Sequence, residues 1–118
     1  MLLPKEGKLL RIFIGESDRH DGHPLHEWLL KRAREHGLAG ATVVRGLAGF
    51  GAHSRMHTAK ILRLSEDLPI VIEIVDTADK IEAFLAVVDG AIAEGLATVE
   101  NVSVRFYRSG DPKPGTKP

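Results

Sequence analysis

The chain has 118 residues, of which 43% are apolar and 27% charged, the size and make-up of one globular domain, and this excludes extensive disorder. Its 16 basic residues balance 16 acidic ones, so no global field exists to hold duplex nucleic acid or an anionic membrane, and any anion site has to be a local cluster. The absence of cysteine removes disulfide scaffolds, thiol catalysis and thiolate metal centres. The opening MLLPKEGKLL carries an acidic residue and too short an apolar run for a signal peptide, so a cytoplasmic protein is expected.

Residues 8–15 (KLLRIFIG) are a short β-branched and aromatic run closed by Gly15, which predicts a largely buried strand. The polar stretch ESDRHDGH follows, and then Pro24 at a helix-opening position and Gly37 at a helix-closing one predict a first helix over 24–36. Its apolar stripe is Leu25, Trp28, Leu29 and Ala33. Residues 41–47 (ATVVRGL) read as a second strand running into the glycine-spaced stretch Gly46, Gly49 and Gly51. Residues 59–64 (AKILRL) are a further strand candidate, and 70–75 (IVIEIV) are the strongest strand signal in the chain. A second helix is predicted over 78–94, with Asp76 or Thr77 as N-cap, the stripe Ile81, Phe84, Leu85, Val88 and Ile92, and Gly95 as C-cap. The last strand is placed at 99–107 (VENVSVRFY), which gives a domain over 1–108 and a disordered Pro/Gly/Lys-rich tail over 109–118.

The order β-α-β-(β)-β-α-β is the split βαβ pattern of a ferredoxin-like (βαββαβ) α+β sandwich, an antiparallel sheet with two helices on one face. Strand parity then assigns Leu10, Ile12, Ile14, Ile70, Ile72, Ile74, Val102, Val104 and Phe106 to the helix side. The other face receives Leu9, Phe13, Val71, Val75 and Tyr107 together with Arg11, Glu73 and Arg105. Such a face is too apolar to stay wet, so association of copies through it is expected. Glu73, a carboxylate inside the most hydrophobic strand, must be paired or functional, and Arg11 on a neighbouring strand is its natural structural partner.

The segment RGLAGFGAHSRMHTAK (45–60) puts three glycines before His53, Arg55, His57 and Lys60. Closely spaced glycines let backbone N–H groups approach an anion while basic side chains supply counter-charge; a bulged hairpin with a solvated basic tip has the same composition. No Gly-Lys-Ser/Thr opens a helix here, so phosphoanhydride hydrolysis has no support. His20, His23 and His26 have a spacing that could place imidazoles on one helix start for a divalent metal, or simply solvate that start. Catalytic arrangements are thin: Ser54 lacks a nucleophile elbow, Glu16 with Asp18 is a short acidic pair, and no enzyme is expected.

The run GATVVRGLAGFG (40–51), followed by IVIEIVD (70–76) leading into a helix, resembles the nitrogen-regulatory PII proteins, and the chain is still more similar to a PII-like domain-of-unknown-function family. That family's pattern of a GES-D-R loop, G-PL opening a helix, RAR-GLAGATV-RG-AGFG, HTAK, LSEDLP and EIVD runs from Gly15 to Arg108. The resemblance implies a signalling homotrimer, ferredoxin-like in each subunit, that binds an adenine nucleotide as effector, with no further cofactor, in clefts between subunits. Its loop after the second strand would contact an unidentified target protein, for which a membrane transporter is one candidate. Position by position, Gly49, Phe50 and Gly51 match the PII loop base, Thr42 a threonine of the second strand, and Glu73 a strand-three glutamate at the cleft. Arg45, Gly46, Arg55 and Arg105 complete the expected nucleotide set. The loop is shorter than in PII and lacks a tyrosine between Gly51 and Leu68, so uridylylation is not expected. EGLATVEN (94–101) replaces PII's glycine- and lysine-rich phosphate loop, so AMP or ADP is expected over ATP. The rival expectation is a trimeric divalent-metal-binding protein resembling cation-tolerance proteins, using His20, His23 and His26.

Overall fold

The computed structural model describes residues 6–51, 57–58 and 67–110. The elements run β1 (Glu6–Gly15), α1 (Leu25–Glu35), β2 (Thr42–Arg45), β3 (Pro69–Asp76), α2 (Ala78–Val88) and β4 (Leu96–Ser103). The four strands form one antiparallel sheet in the order β2-β3-β1-β4, with β3 and β1 central and β2 and β4 as edges. This is the predicted ferredoxin-like α+β arrangement. Two-residue ladders add Arg19–His20 against His23–Pro24 before α1, and Ala48–Gly49 against His57–Thr58 after β2. The strand candidate at 59–64 and residues 111–118 of the expected tail lie outside the described residues.

Alternation dictates the core. Leu10, Ile12 and Ile14 of β1 and Ile70, Ile72 and Ile74 of β3 are buried against Leu25, Leu29 and Ala33 of α1 and Ile81, Phe84 and Val88 of α2. The helix residues recur at three- and four-residue intervals, so each helix turns one stripe to the sheet. Asp76, the one buried charged residue among those described, sits where β3 meets α2. Its carboxylate accepts from the backbone N–H of Thr77 at 2.7 Å and of Ala39 at 2.8 Å, tying the α1–β2 connection to the start of α2. Thr77 is the N-cap of α2, its hydroxyl accepting from Lys80 N–H at 3.3 Å.

Three predicted boundaries move. Helix α1 starts at Leu25, with Pro24 as its N-cap, and ends at Glu35. Helix α2 stops at Val88 and passes through a 3₁₀ turn at Asp89–Ala91, because the Asp-Gly pair at 89–90 is a poor helix continuation and Ile92 is already extended. Gly95 is therefore not a helix cap: a Cβ there would lie 2.7 Å from the carbonyl oxygen of Phe13, so glycine is what lets the chain enter the edge of the sheet.

The largest correction concerns β4. It begins at Leu96 rather than 99 and ends at Ser103, and its register sets Ala97 opposite Ile12, Val99 opposite Leu10 and Val102 opposite Gly7. Ala97 and Val99 therefore lie on the helix side, and Val102 on the open side, the reverse of the predicted parity. Residues 104–110 continue beyond the ladder. Phe106 and Tyr107 are exposed, and the Tyr107 hydroxyl donates to the carbonyl oxygen of Ala39 at 2.6 Å, so the apolar residues that mimicked a strand instead cross the α1–β2 connection.

Candidate functional site

The open sheet face is built from alternate residues of all four strands. Leu9, Phe13, Val71, Val75 and Val102 are half-buried there, and Val44 and Leu96 are exposed. Three charges stand within this apolar field: Arg11, Glu73 and Glu100. Arg11 donates from Nε to Glu73 at 2.9 Å and from a terminal nitrogen to Glu100 at 2.6 Å. The hydrogen bond to Glu73, with the charges of both carboxylates, pushes the Arg11 guanidinium above its ordinary value. Glu73 is thus paired with Arg11, as its position suggested, and it also stands directly across from Thr42 in the ladder. Glu100 was missed because the last strand was given the opposite parity, with Val102 on the helix side; the register of LATVENVS from Leu96 puts it on this face.

The glycine-rich end lies where β1 and β2 finish and β3 begins. Gly46 donates its N–H to the Pro69 carbonyl at 2.7 Å, and a Cβ at Gly46 or Gly49 would come within 2.9 or 3.0 Å of the Pro69 ring. Glycine is required at both for this close approach, which fixes the base of the β2–β3 connection. Leu47 and Phe50 project into solvent, 81% and 72% exposed. Arg45 forms an ion pair with Glu16. The turn after β1 gathers further carboxylates: Asp18 accepts from Gly15 N–H at 3.0 Å, and Asp67 accepts from the backbone and hydroxyl of Ser17 at 3.1 and 2.8 Å. The short acidic pair at Glu16 and Asp18 is therefore a structural element of this end of the sheet, joined by a residue from the far side of the β2–β3 connection.

Of the expected nucleotide residues, the structure gathers Arg45, Gly46, Gly49, Phe50 and Gly51 along one segment at the β1 C-terminal end. Thr42 and Glu73 stand opposite one another on the open face. Arg105 follows β4, whose last residue, Ser103, pairs with Glu6. It therefore lies off the opposite end of the sheet, about 30 Å away by strand rise, and one chain does not bring it to Arg45. Arg55 lies outside the described residues. Of the histidines, His20 and His23 face one another across a tight turn with Asp21 and Gly22 at positive φ, the His20 ring meets Trp28 edge-on at 4.5 Å, and His26 lies in the first turn of α1. Among the described residues no group of three or more histidine or acidic side chains is placed to hold a metal ion.

Residues 7–104 match the DUF190 family, described as Uncharacterized ACR. A UPF0166 protein of Aquifex aeolicus is 44% identical over 99 residues, covering 84% of this chain and 93% of that protein. A UPF0166 protein of Methanocaldococcus jannaschii is 34% identical over 80 residues, covering 68% and 73%. Among solved structures, the fold is similar to CPII, a nitrogen regulatory PII-like protein from Thiomonas intermedia bound to ADP, AMP and bicarbonate, with TM-score 0.65, 20% identity and 84% and 88% of the two chains covered. It is also similar to a putative PII-like signaling protein from Thermus thermophilus, with TM-score 0.58, 19% identity and 85% and 91% coverage. The chain belongs to the DUF190 family, and its fold is that of the PII-like proteins.

Proposed function

We propose that this protein is a PII-like regulator that binds an adenine nucleotide, AMP or ADP in preference to ATP, in clefts between three copies associated through the open sheet face. It acts by binding rather than catalysis, and the connection after β2 carries the signal to a target protein. The observation that carries this reading is a pairing of features at the sheet's end and face: a glycine segment seated on Pro69 and leading from the edge of an apolar face with paired charges at its centre. The bound ADP and AMP of CPII, on the same fold, support the choice of ligand. Because Arg45 and Arg105 lie at opposite ends of one sheet, a cleft using both draws them from different copies. The preference against ATP follows from the path of the chain after α2: β4 begins at Leu96, so only residues 92–95 separate it from the 3₁₀ turn, and none of them is basic. A third phosphate then lacks donors there.

Leu47 and Phe50, exposed on the connection after β2, are the apolar contacts such a surface offers a target. Calorimetric titration with AMP, ADP, ATP and cyclic AMP tests the reading. Binding of AMP or ADP tighter than millimolar is expected; no binding by any of the four contradicts it.

A further inference from the structure

Arg45, the cation expected to meet a phosphate at the glycine-rich end, is already occupied: Glu16 of the same chain holds its guanidinium. The two partners differ in freedom. The Glu16 side chain, directly after β1, is 17% exposed, whereas that of Arg45, the last residue of the edge strand β2, is 61% exposed. The carboxylate stands on a braced turn. Glu16 N–H donates to the carbonyl oxygen of Leu68 at 2.8 Å, Gly15 N–H before it donates to the Asp18 carboxylate at 3.0 Å, and Ser17 after it donates twice to Asp67. The Asp18 carbonyl oxygen accepts from Leu25 N–H at 2.8 Å, which ties the same turn to the start of α1. On the other side, the backbone of Arg45 is fixed by its place opposite Ile70 and by the bond from Gly46 N–H to Pro69, so what can move is the exposed arginine side chain. When the pair opens, the guanidinium leaves and the carboxylate stays.

We propose that Glu16 competes with the nucleotide's phosphate for Arg45, an internal anion that holds the site's cation until a phosphate displaces it. The inference rests on the nucleotide reading above, and it concerns a pair within one chain, whatever surface of a neighbouring copy completes the cleft. Carboxylate and phosphate engage a guanidinium by the same charge-assisted hydrogen bonds, so binding exchanges one such contact for another. The apparent dissociation constant is then the intrinsic one divided by the fraction of chains whose Arg45 is free of Glu16. With one partner well exposed and screened by water, holding the pair costs the ligand about fivefold in affinity. A ligand without a phosphate makes no claim on Arg45 and escapes that cost.

Calorimetric titration of wild type, Glu16→Gln and Glu16→Ala with AMP and with adenosine, at fixed pH and ionic strength, tests this. Glutamine keeps the length and shape of the side chain and removes its charge; alanine removes the side chain, so a defect peculiar to glutamine does not decide the result. Thermal unfolding followed by circular dichroism identifies the variants that are folded at the temperature of titration. AMP is expected to bind the folded variants about fivefold more tightly than wild type, and adenosine no more tightly. Unchanged AMP affinity overturns the competition and leaves the nucleotide reading standing, and weaker AMP binding overturns it by making Glu16 a positioning residue that holds Arg45 ready for phosphate. An equal gain for adenosine also overturns it, because the effect then lies in the shape of the site and not in the phosphate contact. A wild type that binds no adenine nucleotide overturns the nucleotide reading and this inference with it.

Discussion

A single carboxylate introduced at Val71 should take the proposed assembly apart without unfolding the chain. Val71 stands on the open face between Phe13 of β1 and Val44 of β2, with its backbone in the middle of the sheet and its side chain half-buried. Burying a valine in a contact is worth about 1.5–3 kcal/mol, which Asp forfeits. An unpaired carboxylate in a desolvated contact costs several kcal/mol more, and the cation at the centre of the face is already shared by Glu73 and Glu100. The sum is at least about 4 kcal/mol, or about a thousandfold in each contact. Val71→Ala removes two methyl groups and no more, about 1.6 kcal/mol or roughly fifteenfold, and separates lost packing from added charge. Light scattering at micromolar concentration and pH 8 should show three-subunit mass for wild type, partial dissociation for Val71→Ala and monomer for Val71→Asp. Far-ultraviolet circular dichroism should stay unchanged, because the core residues all lie on the other side of the sheet. Three-subunit mass retained by Val71→Asp would refute the reasoning.

Other perturbations probe the parts that hold the site. Asp76→Ala leaves the N–H groups of Ala39 and Thr77 without their carboxylate and should cost about 2–5 kcal/mol in urea unfolding, whereas Thr77→Ala, which removes only the cap of α2, should cost about 1 kcal/mol. Equal costs would deny Asp76 its place as the tie between the two connections. Gly49→Val puts a branched side chain against the Pro69 ring, where even a Cβ stands at 3.0 Å, and should displace the base of the β2–β3 connection. Calorimetry should then find nucleotide binding lost at unchanged helix and strand content, and retained binding would remove the glycine segment from the site.

The parts of the fold that could be read from the sequence are those in which pattern and packing agree. From Leu10 to Ile14 in β1 and from Ile70 to Ile74 in β3 every second residue is a large aliphatic, so both parity and burial there follow from alternation alone. Helices α1 and α2 announce themselves by stripes of four- and three-residue spacing. In β4 the same logic fails, because an edge strand with exposed residues along nearly its whole length has no burial to enforce a pattern, while VSVRFY, which starts at its last two residues and runs past its end, alternates more convincingly. The reversed parity carried Glu100 off the open face and placed Arg105 on it. Pairing of Glu73 with Arg11 was legible as soon as the two strands were neighbours. The contacts of Arg45 with Glu16 and of Ser17 with Asp67 were not, since they join segments distant in the chain through a turn geometry that no local spacing encodes.

The central claim, a nucleotide site shared between copies, is tested most directly by complementation between two inactive variants. Arg45→Ala and Arg105→Ala remove groups from opposite ends of one sheet, so a cleft built from two chains loses one donor in each homomeric variant. Mixing the two in equal amounts and allowing subunits to exchange places intact Arg45 beside intact Arg105 in about a quarter of the clefts of a cyclic trimer. The account predicts that neither variant alone binds AMP or ADP tightly in calorimetry and that the exchanged mixture recovers about a quarter of the wild-type stoichiometry at wild-type affinity. Undiminished binding by both variants, or no recovery in a mixture shown to have exchanged, would contradict it.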